Sequence, residues 1–353
     1  MSKATICVVV PVYKAMATLD RCVESVLAQQ VDGGLACILV DDGSPDESGA
    51  MCDAWAAKDD RVTVIHQDDL GVSGARNSGV AAADSEFIVF LDSDDALRPG
   101  ALQAALTAQR AAPQDFVVWH YTTDEHDPAA VTADAALRPQ AGLARLWLDC
   151  LLAMPWNKLY RTDLAKQLPF DVQYTLGEDL QFVLDYIALL GQTAPGFGYR
   201  VLNSPLTFYD CSRGGTLSTR YHANYCDIWP KHFAKLNTAC HTAGCPAEDL
   251  RPLHRAELQG FAEGVADIMR RDPSPTKRLR DYKAEAALRS PWLRALLERM
   301  KLEGCYSAYY LPCRWRNVGL VCRLSNARLA DSPLYGKLDW AGYYLLLGRM
   351  RRD

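Results

Sequence analysis

Over the first 112 residues, short and almost uninterrupted apolar runs alternate with segments of helical periodicity, and few folds accommodate that pattern. Residues 5–13, 36–41, 62–66 and 86–92 are apolar and rich in β-branched side chains, as strands are. Between them, residues 17–30 set Leu19, Val23, Val26 and Leu27 at helical spacing behind Thr18 as N-cap. Residues 46–58 and 73–83 also read as helices, and residues 99–111 begin a helix with proline in its first turn. Strands without polar alternation are buried on both faces, which in an alternating chain means a mostly parallel sheet flanked by helices. The expected class is α/β, Rossmann-like.

Downstream the pattern loosens. Residues 116–120 and 201–211 read as strands and residues 143–153 and 178–190 as helices. Residues 122–140 are polar, acidic and alanine-rich, as a mobile loop would be. From about Tyr221 the chain is largely helical, with apolar periodicity in residues 228–241 and 253–269 and a linker at Asp272-Pro273-Ser274-Pro275. At 353 residues, this predicts a catalytic-size domain over 1–220 and a mainly helical extension over 221–353.

The net charge of −5 is unevenly spread. Residues 1–112 carry 8 Lys and Arg against 17 Asp and Glu, whereas residues 273–353 carry 16 against 7. An acidic front half argues against nucleic acid as the ligand, because phosphate backbones are held by Lys and Arg. The basic tail suits an anionic surface. Twelve cysteines without a Cys-x-x-Cys pair, in a large chain with no signal peptide, read as reduced core residues of a cytoplasmic protein. No apolar stretch reaches the roughly 18–20 residues that would span a bilayer.

Ligands of open α/β sheets bind at the carboxyl ends of the strands. Three strands here deliver polar groups to that edge: Pro11-Val12-Tyr13, Asp41-Asp42-Gly43-Ser44 and Asp92-Ser93-Asp94-Asp95. Two carboxylates one residue apart suit a hard cation such as magnesium or manganese, although the same residues could be a helix cap and turn. Asp-Gly after Asp42 is likewise a turn signal as well as a ligand-binding one. In Gly71-Val72-Ser73-Gly74-Ala75-Arg76-Asn77-Ser78-Gly79, small residues allow close approach, a helix start offers N–H groups and Arg76 can neutralise phosphate. The plainer reading is a helix cap with a solvated arginine.

In this order, these blocks resemble the glycosyltransferase family 2 proteins of the GT-A fold. Trp156-Asn157-Lys158-Leu159-Tyr160-Arg161 and Gly177-Glu178-Asp179-Leu180-Gln181-Phe182 look like later blocks of bacterial polysaccharide-building members, and the resemblance covers roughly residues 3–220. It implies that Pro11, Tyr13, Asp42, Ser73, Arg76 and Asp92 line a nucleotide pocket and that Asp94, with Asp92, holds a divalent cation, manganese or magnesium. It makes Asp179 the general base, with Glu178 beside it. Asp95 would assist Asp92 or Asp94. Trp156, Asn157 and Lys158 would border the acceptor, and Arg213, in a glycine-rich stretch with Tyr209 and Ser218, would close over the diphosphate.

The implied function is inverting, metal-dependent transfer of a sugar from a nucleotide-sugar, a UDP-sugar above others, to a glycan or lipid-linked acceptor in surface polysaccharide synthesis. The rivals are a sugar nucleotidyltransferase and a non-catalytic nucleotide-sugar-binding scaffold. The first needs a glycine-rich basic loop after the opening strand, which Pro11-Val12-Tyr13-Lys14-Ala15 lacks. The tail intersperses Arg314, Arg316, Arg323, Arg349, Arg351 and Arg352 with Tyr306, Tyr309, Tyr310, Trp315, Trp340, Tyr343 and Tyr344. That composition fits a peripheral membrane contact, or equally a solvated helical cap.

Overall fold

The four apolar runs of the first 90 residues lie side by side as parallel strands. The structure is a computed structural model that describes residues 4–174, 176–212, 220–333, 335–337 and 339. Two compact units divide the chain, residues 1–214 and residues 215–353.

In the first unit the elements run β1 (Ala4–Val12), α1 (Leu19–Leu27), β2 (Leu35–Asp42), α2 (Ser48–Lys58), β3 (Val62–Gln67), α3 (Gly71–Ala82), β4 (Ser85–Phe90), β5 (Ala96–Leu97), α4 (Ala101–Ala111) and β6 (Phe116–Thr122). They continue as β7 (Ala135–Pro139), α5 (Leu143–Leu148), β8 (Lys158–Arg161), α6 (Thr162–Ala165), α7 (Glu178–Thr193) and β9 (Gly198–Phe208). The sheet order is β3-β2-β1-β4-β8-β6-β9-β5, with β7 on β9. Strands β3, β2, β1 and β4 are mutually parallel, β8 runs antiparallel to both neighbours, and β6 and β9 are parallel to each other. The expectation of a mostly parallel α/β sheet is met.

The chain builds outward from β1 to β2 and β3, then returns to lay β4 on the other side of β1. This reversal opens a crevice beyond the carboxyl ends of β1 and β4, the place where such sheets bind ligands. In register, Val9 of β1 sits between Ile38 of β2 and Phe90 of β4, so the ends of all three strands reach one edge. Val8, Val10, Leu39 and Val89 share a core with Leu19, Val23 and Val26 of α1 and Leu102 and Ala105 of α4.

Three local expectations need correction. Within the stretch 122–140 read as a loop, residues 135–139 form β7, paired antiparallel with β9; backbone pairing outweighs a polar composition there. The helix expected over 143–153 stops at Leu148, and Cys150 turns the chain with φ of 56°. Thr18 does occupy the N-cap position of α1, but its hydroxyl donates to Ala15 O instead of accepting from the helix.

The second unit is helical: α8 (Tyr225–Thr242), α9 (Ala247–Arg271), α10 (Lys277–Leu288), α11 (Pro291–Leu302), α12 (Tyr310–Arg314) and α13 (Val318–Leu329). Its core joins Phe261 and Val265 of α9 to Leu288, Leu293, Leu297 and Val321. Tyr306, Tyr309 and Tyr310 are part of that core, so these three tail aromatics are packing residues, not surface ones. The stretch 272–275 is a linker, as expected, and lies within the second unit. It joins α9 to α10 inside this unit, where the buried Asp272 carboxylate accepts from Tyr221, Lys283 and the Ser274 N–H. No helix among the described residues is long and apolar enough to cross a membrane. All twelve cysteines are free thiols, and Cys7, Cys22, Cys37 and Cys52 are buried.

Candidate active site

Helix α3 lies directly on the sheet because Gly79 has no side chain: a Cβ there would come within 2.3 Å of Val9 Cγ1. That approach carries Arg76, one turn earlier, over the crevice. Its guanidinium is buried and forks between two carboxylates, donating from Nη2 to Asp92 Oδ1 at 2.8 Å and from Nη1 to Asp179 Oδ1 at 2.6 Å. A buried guanidinium cannot shed its proton, so it must be paired, and its planar fork suits two carboxylates better than an ammonium would. Burial works against its charge, but Asp179, Asp92 and Glu178 outweigh that and hold its pKa above the ordinary value.

Asp179 is delivered by the first turn of α7, which Gly177 opens in the left-handed conformation at φ of 77°. Glu178 stands beside it, and both carboxylates sit where a helix start favours negative charge. Burial pushes the Asp179 carboxyl upward; Arg76 opposes the shift, while Glu178 and Asp92 add to it.

The acidic block after β4 is arranged unevenly. Asp92 faces Arg76, and Asp94 is half-buried, its backbone carbonyl accepting from Arg21 Nη2 at 2.6 Å. Asp95 is fully buried: Oδ1 accepts the Asp210 N–H at 2.9 Å, while Oδ2 has no hydrogen-bond partner. Burial first, and then the Asp92 charge, push the Asp95 carboxyl up to about 9. These are hard oxygen donors with excess negative charge and an orphaned buried oxygen, which fits a magnesium- or manganese-like ion. Among the described residues no three His, Cys, Asp or Glu side chains form a ready metal cage. An ion bound there would be held by one or two of these carboxylates and completed by water and phosphate oxygens.

The other predicted residues fall into four groups. Pro11 is buried in β1, and Tyr13, just past its end, is 43% exposed with the Lys14 ammonium 4.9 Å from its ring. Asp42 is buried, Oδ1 accepting from Gln67 Nε2 at 2.7 Å and from the Leu70 N–H at 2.9 Å, so it braces the turn into α3; Ser73 is buried in the first turn of α3. Asn157 and Lys158 are wholly buried. Lys158 Nζ donates to the carbonyls of Leu151 and Met154 and to Asn157 Oδ1, and Asn157 Nδ2 donates to Trp119 O, so both shape the turn before β8. Trp156 is buried as well, stacked on Tyr209 at 5.3 Å. Arg213 and Ser218 lie outside the described residues.

Sequence reasoning passed over Arg21, whose Nη2 also reaches Asp210 Oδ2 at 2.6 Å and so ties α1 to the segment after β9. It also passed over the Asp41–His66–Asp53 relay, with contacts of 2.9 and 3.0 Å at the ends of β2 and β3. Neither has a sequence signal beyond an isolated charged residue near a strand end or on a helix.

With this geometry in place, similarity to known proteins becomes informative. Residues 7–169 match the profile described as "Glycosyl transferase family 2". That stretch lies within the first unit and makes up just under half of the chain. The chain is 39% identical over 124 residues to glycosyltransferase GlyG of Streptococcus pneumoniae serotype 4 (35% of this chain, 41% of GlyG). It is 31% identical over 181 residues to the putative glycosyltransferase EpsH of Bacillus subtilis (49% of this chain, 52% of EpsH). The chain thus spans about half the length, or less, of these curated relatives. The fold is also that of S. aureus TarS 1–349, solved in complex with UDP-GlcNAc, with a TM-score of 0.63 at 16% identity over 93% of this chain and 92% of that one. The family 2 segment contains Arg76, Asp92, Asp94 and Asp95, whereas Asp179 lies ten residues beyond its end.

Proposed function

We propose that this chain is an inverting glycosyltransferase that moves a sugar from a nucleotide-sugar to a hydroxyl of a glycan or lipid-linked acceptor in cell-surface polysaccharide synthesis. The observation that carries the proposal is the Arg76 fork, which joins the strand-end carboxylate Asp92 to the helix-start carboxylate Asp179 at the sheet's point of reversal. A donor lying across the strand ends would have its diphosphate beside the Asp92–Asp95 block, and Asp179 would stand on the acceptor side.

In this reading Asp179 takes the proton of the acceptor hydroxyl as its oxygen bonds to the anomeric carbon. The bond from that carbon to the diphosphate oxygen breaks, and the nucleoside diphosphate leaves with the electron pair. Inversion follows from a single displacement. The rise in the Asp179 pKa strengthens it as a base, and Arg76 keeps it oriented. A bound magnesium or manganese ion, held by Asp94 with Asp92, would offset the charge of the diphosphate. Pro11, Tyr13, Asp42 and Ser73 would line the nucleoside side, and Arg213 would meet the diphosphate.

A UDP-sugar is the first donor to test, being what TarS of the same fold holds. A peripheral contact with the cytoplasmic face of a membrane, through the basic second unit, belongs to the same proposal. The test is a screen of nucleotide-sugars with manganese or magnesium, monitoring nucleotide release and the intact mass of any product. Release with a mass increment of one sugar on an added acceptor supports transfer. Tight UDP binding with no turnover on any donor and acceptor would leave a binding scaffold.

A further inference from the structure

Asn77, next to Arg76 on α3, is not part of the site just described, yet its amide is fully engaged at its border. Nδ2 donates to Phe170 O at 2.9 Å and Oδ1 accepts the Phe170 N–H at 2.8 Å. One side chain thus satisfies both backbone groups of one residue 93 positions away, as a neighbouring strand would. Only a side chain with a donor and an acceptor side by side does this at that reach. Aspartate would lose the bond to the carbonyl, serine is too short and glutamine too long.

Phe170 passes that constraint on in two directions. Its ring stacks on Phe182 of α7, centroids 3.9 Å apart and planes within 9°. Phe182 follows Asp179 by three residues, so the two share a face of α7. The Phe170 ring also lies 5.4 Å from the Arg76 guanidinium carbon, within cation–π range. Phe90 of β4 meets the ring edge-on at 5.3 Å and prevents it from sliding away. Consecutive residues of α3 therefore hold the first turn of α7 at two points. Arg76 grips the Asp179 carboxylate, and Asn77 fixes the aromatic plate on which that turn rests.

We infer that Asn77 is a positioning residue for transfer: by clamping Phe170 it sets the orientation of the start of α7, and so of Asp179, without touching donor or acceptor. The inference rests on the proposed role of Asp179.

The experiment compares the full chain with Asn77→Ala and with Phe170→Leu, which keeps both backbone hydrogen bonds but removes the ring. Steady-state transfer, UDP affinity and amide hydrogen exchange are measured for each. Both variants are expected to lose at least tenfold in kcat with UDP affinity within about twofold of the parent. Exchange is expected to quicken at residues 178–182 while the β1 and β2 amides stay protected. Unchanged kcat in Asn77→Ala overturns the inference, as does a loss of kcat that tracks a matching loss of UDP affinity and of β-strand protection, the mark of a merely structural role. If the parent chain transfers no sugar, the functional reading fails separately. The clamp is then judged by exchange alone, and unaltered exchange at 178–182 in Asn77→Ala overturns it.

Discussion

Arg76 and Asp179 are 103 residues apart in the chain, yet their side chains meet at 2.6 Å. The contact joins the glycine-rich helix that follows β3 to the helix that carries the candidate base. If Asp179 accepts the acceptor's proton, Asp179→Asn keeps the shape and an oxygen for Arg76 but removes the basicity. Transfer should then fall on the order of 10²–10⁴-fold, the usual contribution of a general base. UDP affinity, measured by calorimetry, should change little. Transfer at the parental rate would remove Asp179 from the mechanism.

Arg76 itself answers to a different substitution. Lysine keeps the charge but not the fork, so Arg76→Lys can hold Asp92 or Asp179 at hydrogen-bond distance but not both. Both carboxylates are partly exposed, which tempers the stability cost to between about 1 and 3 kcal/mol. Denaturant unfolding gives that figure. UDP affinity and transfer should fall together, in contrast to Asp179→Asn.

The metal reading rests on Asp94 and its neighbours. Titrating UDP with and without manganese should show a gain in affinity with the ion in the parent chain, and Asp94→Ala should erase that gain while leaving metal-free binding as it was. A gain that survives in Asp94→Ala would move the ion elsewhere.

Much of the first unit was legible because its signals are local. A buried parallel strand must be apolar throughout, and a strand-end carboxylate announces itself by breaking the run, as Asp92 does after Leu91. What escaped depends on partners far away in sequence. The hydrogen bonds of Asn157 and Lys158 to the carbonyls of residues 119, 151 and 154 have no sequence signal, because the partners are set by the fold. Strand β7 has no apolar pattern of its own and exists through its pairing with β9. In the second unit, Tyr306, Tyr309 and Tyr310 belong to the same aromatic and basic stretch as Trp315, and only burial separates core from surface.

The second unit also contains a buried acid with a pH signature. Glu257 of α9 is fully buried, Oε2 accepting from Asn237 Nδ2 at 3.1 Å and Oε1 without a partner. Burial pushes its carboxyl up to about 7, against the pull of Asn237 and Arg299 and with a push from Glu303. The folded state therefore holds a proton that the unfolded chain, with the ordinary value of 4.5, has released. Stability from this group is fully present below 4.5 and is lost as pH rises toward 7. Melting curves between about pH 5 and pH 8 should show the parent losing more Tm than Glu257→Gln, which is neutral throughout. Parallel curves would mean that Glu257 is ionised in the fold.

Membrane contact is the prediction most reshaped by the structure. With three tyrosines in the core, the exposed apolar groups along 300–316 reduce to Leu302 and Trp315, 88% and 63% exposed. Arg314, beside Trp315, pairs with Glu298 of α11 at 3.0 Å, and Leu302 lies one turn beyond Glu298 on the same face. Arg294 and Lys301 of α11 and Arg316, next to Trp315, are exposed as well, while Arg314 neutralises Glu298. An exposed tryptophan and leucine with exposed basic residues near them in the sequence suit an anionic bilayer, where the two side chains enter the headgroup layer and each basic residue adds about 1 kcal/mol. The chain should therefore sediment with vesicles containing phosphatidylglycerol and much less with purely phosphatidylcholine vesicles. Raising the salt should weaken the binding, because a contact of this kind is screened within about 10 Å at 0.1 M. Leu302→Ser with Trp315→Ala should reduce sedimentation while circular dichroism and Tm stay at parental values. Equal sedimentation of the double variant, or no preference for the anionic vesicles, would reject this surface as the contact.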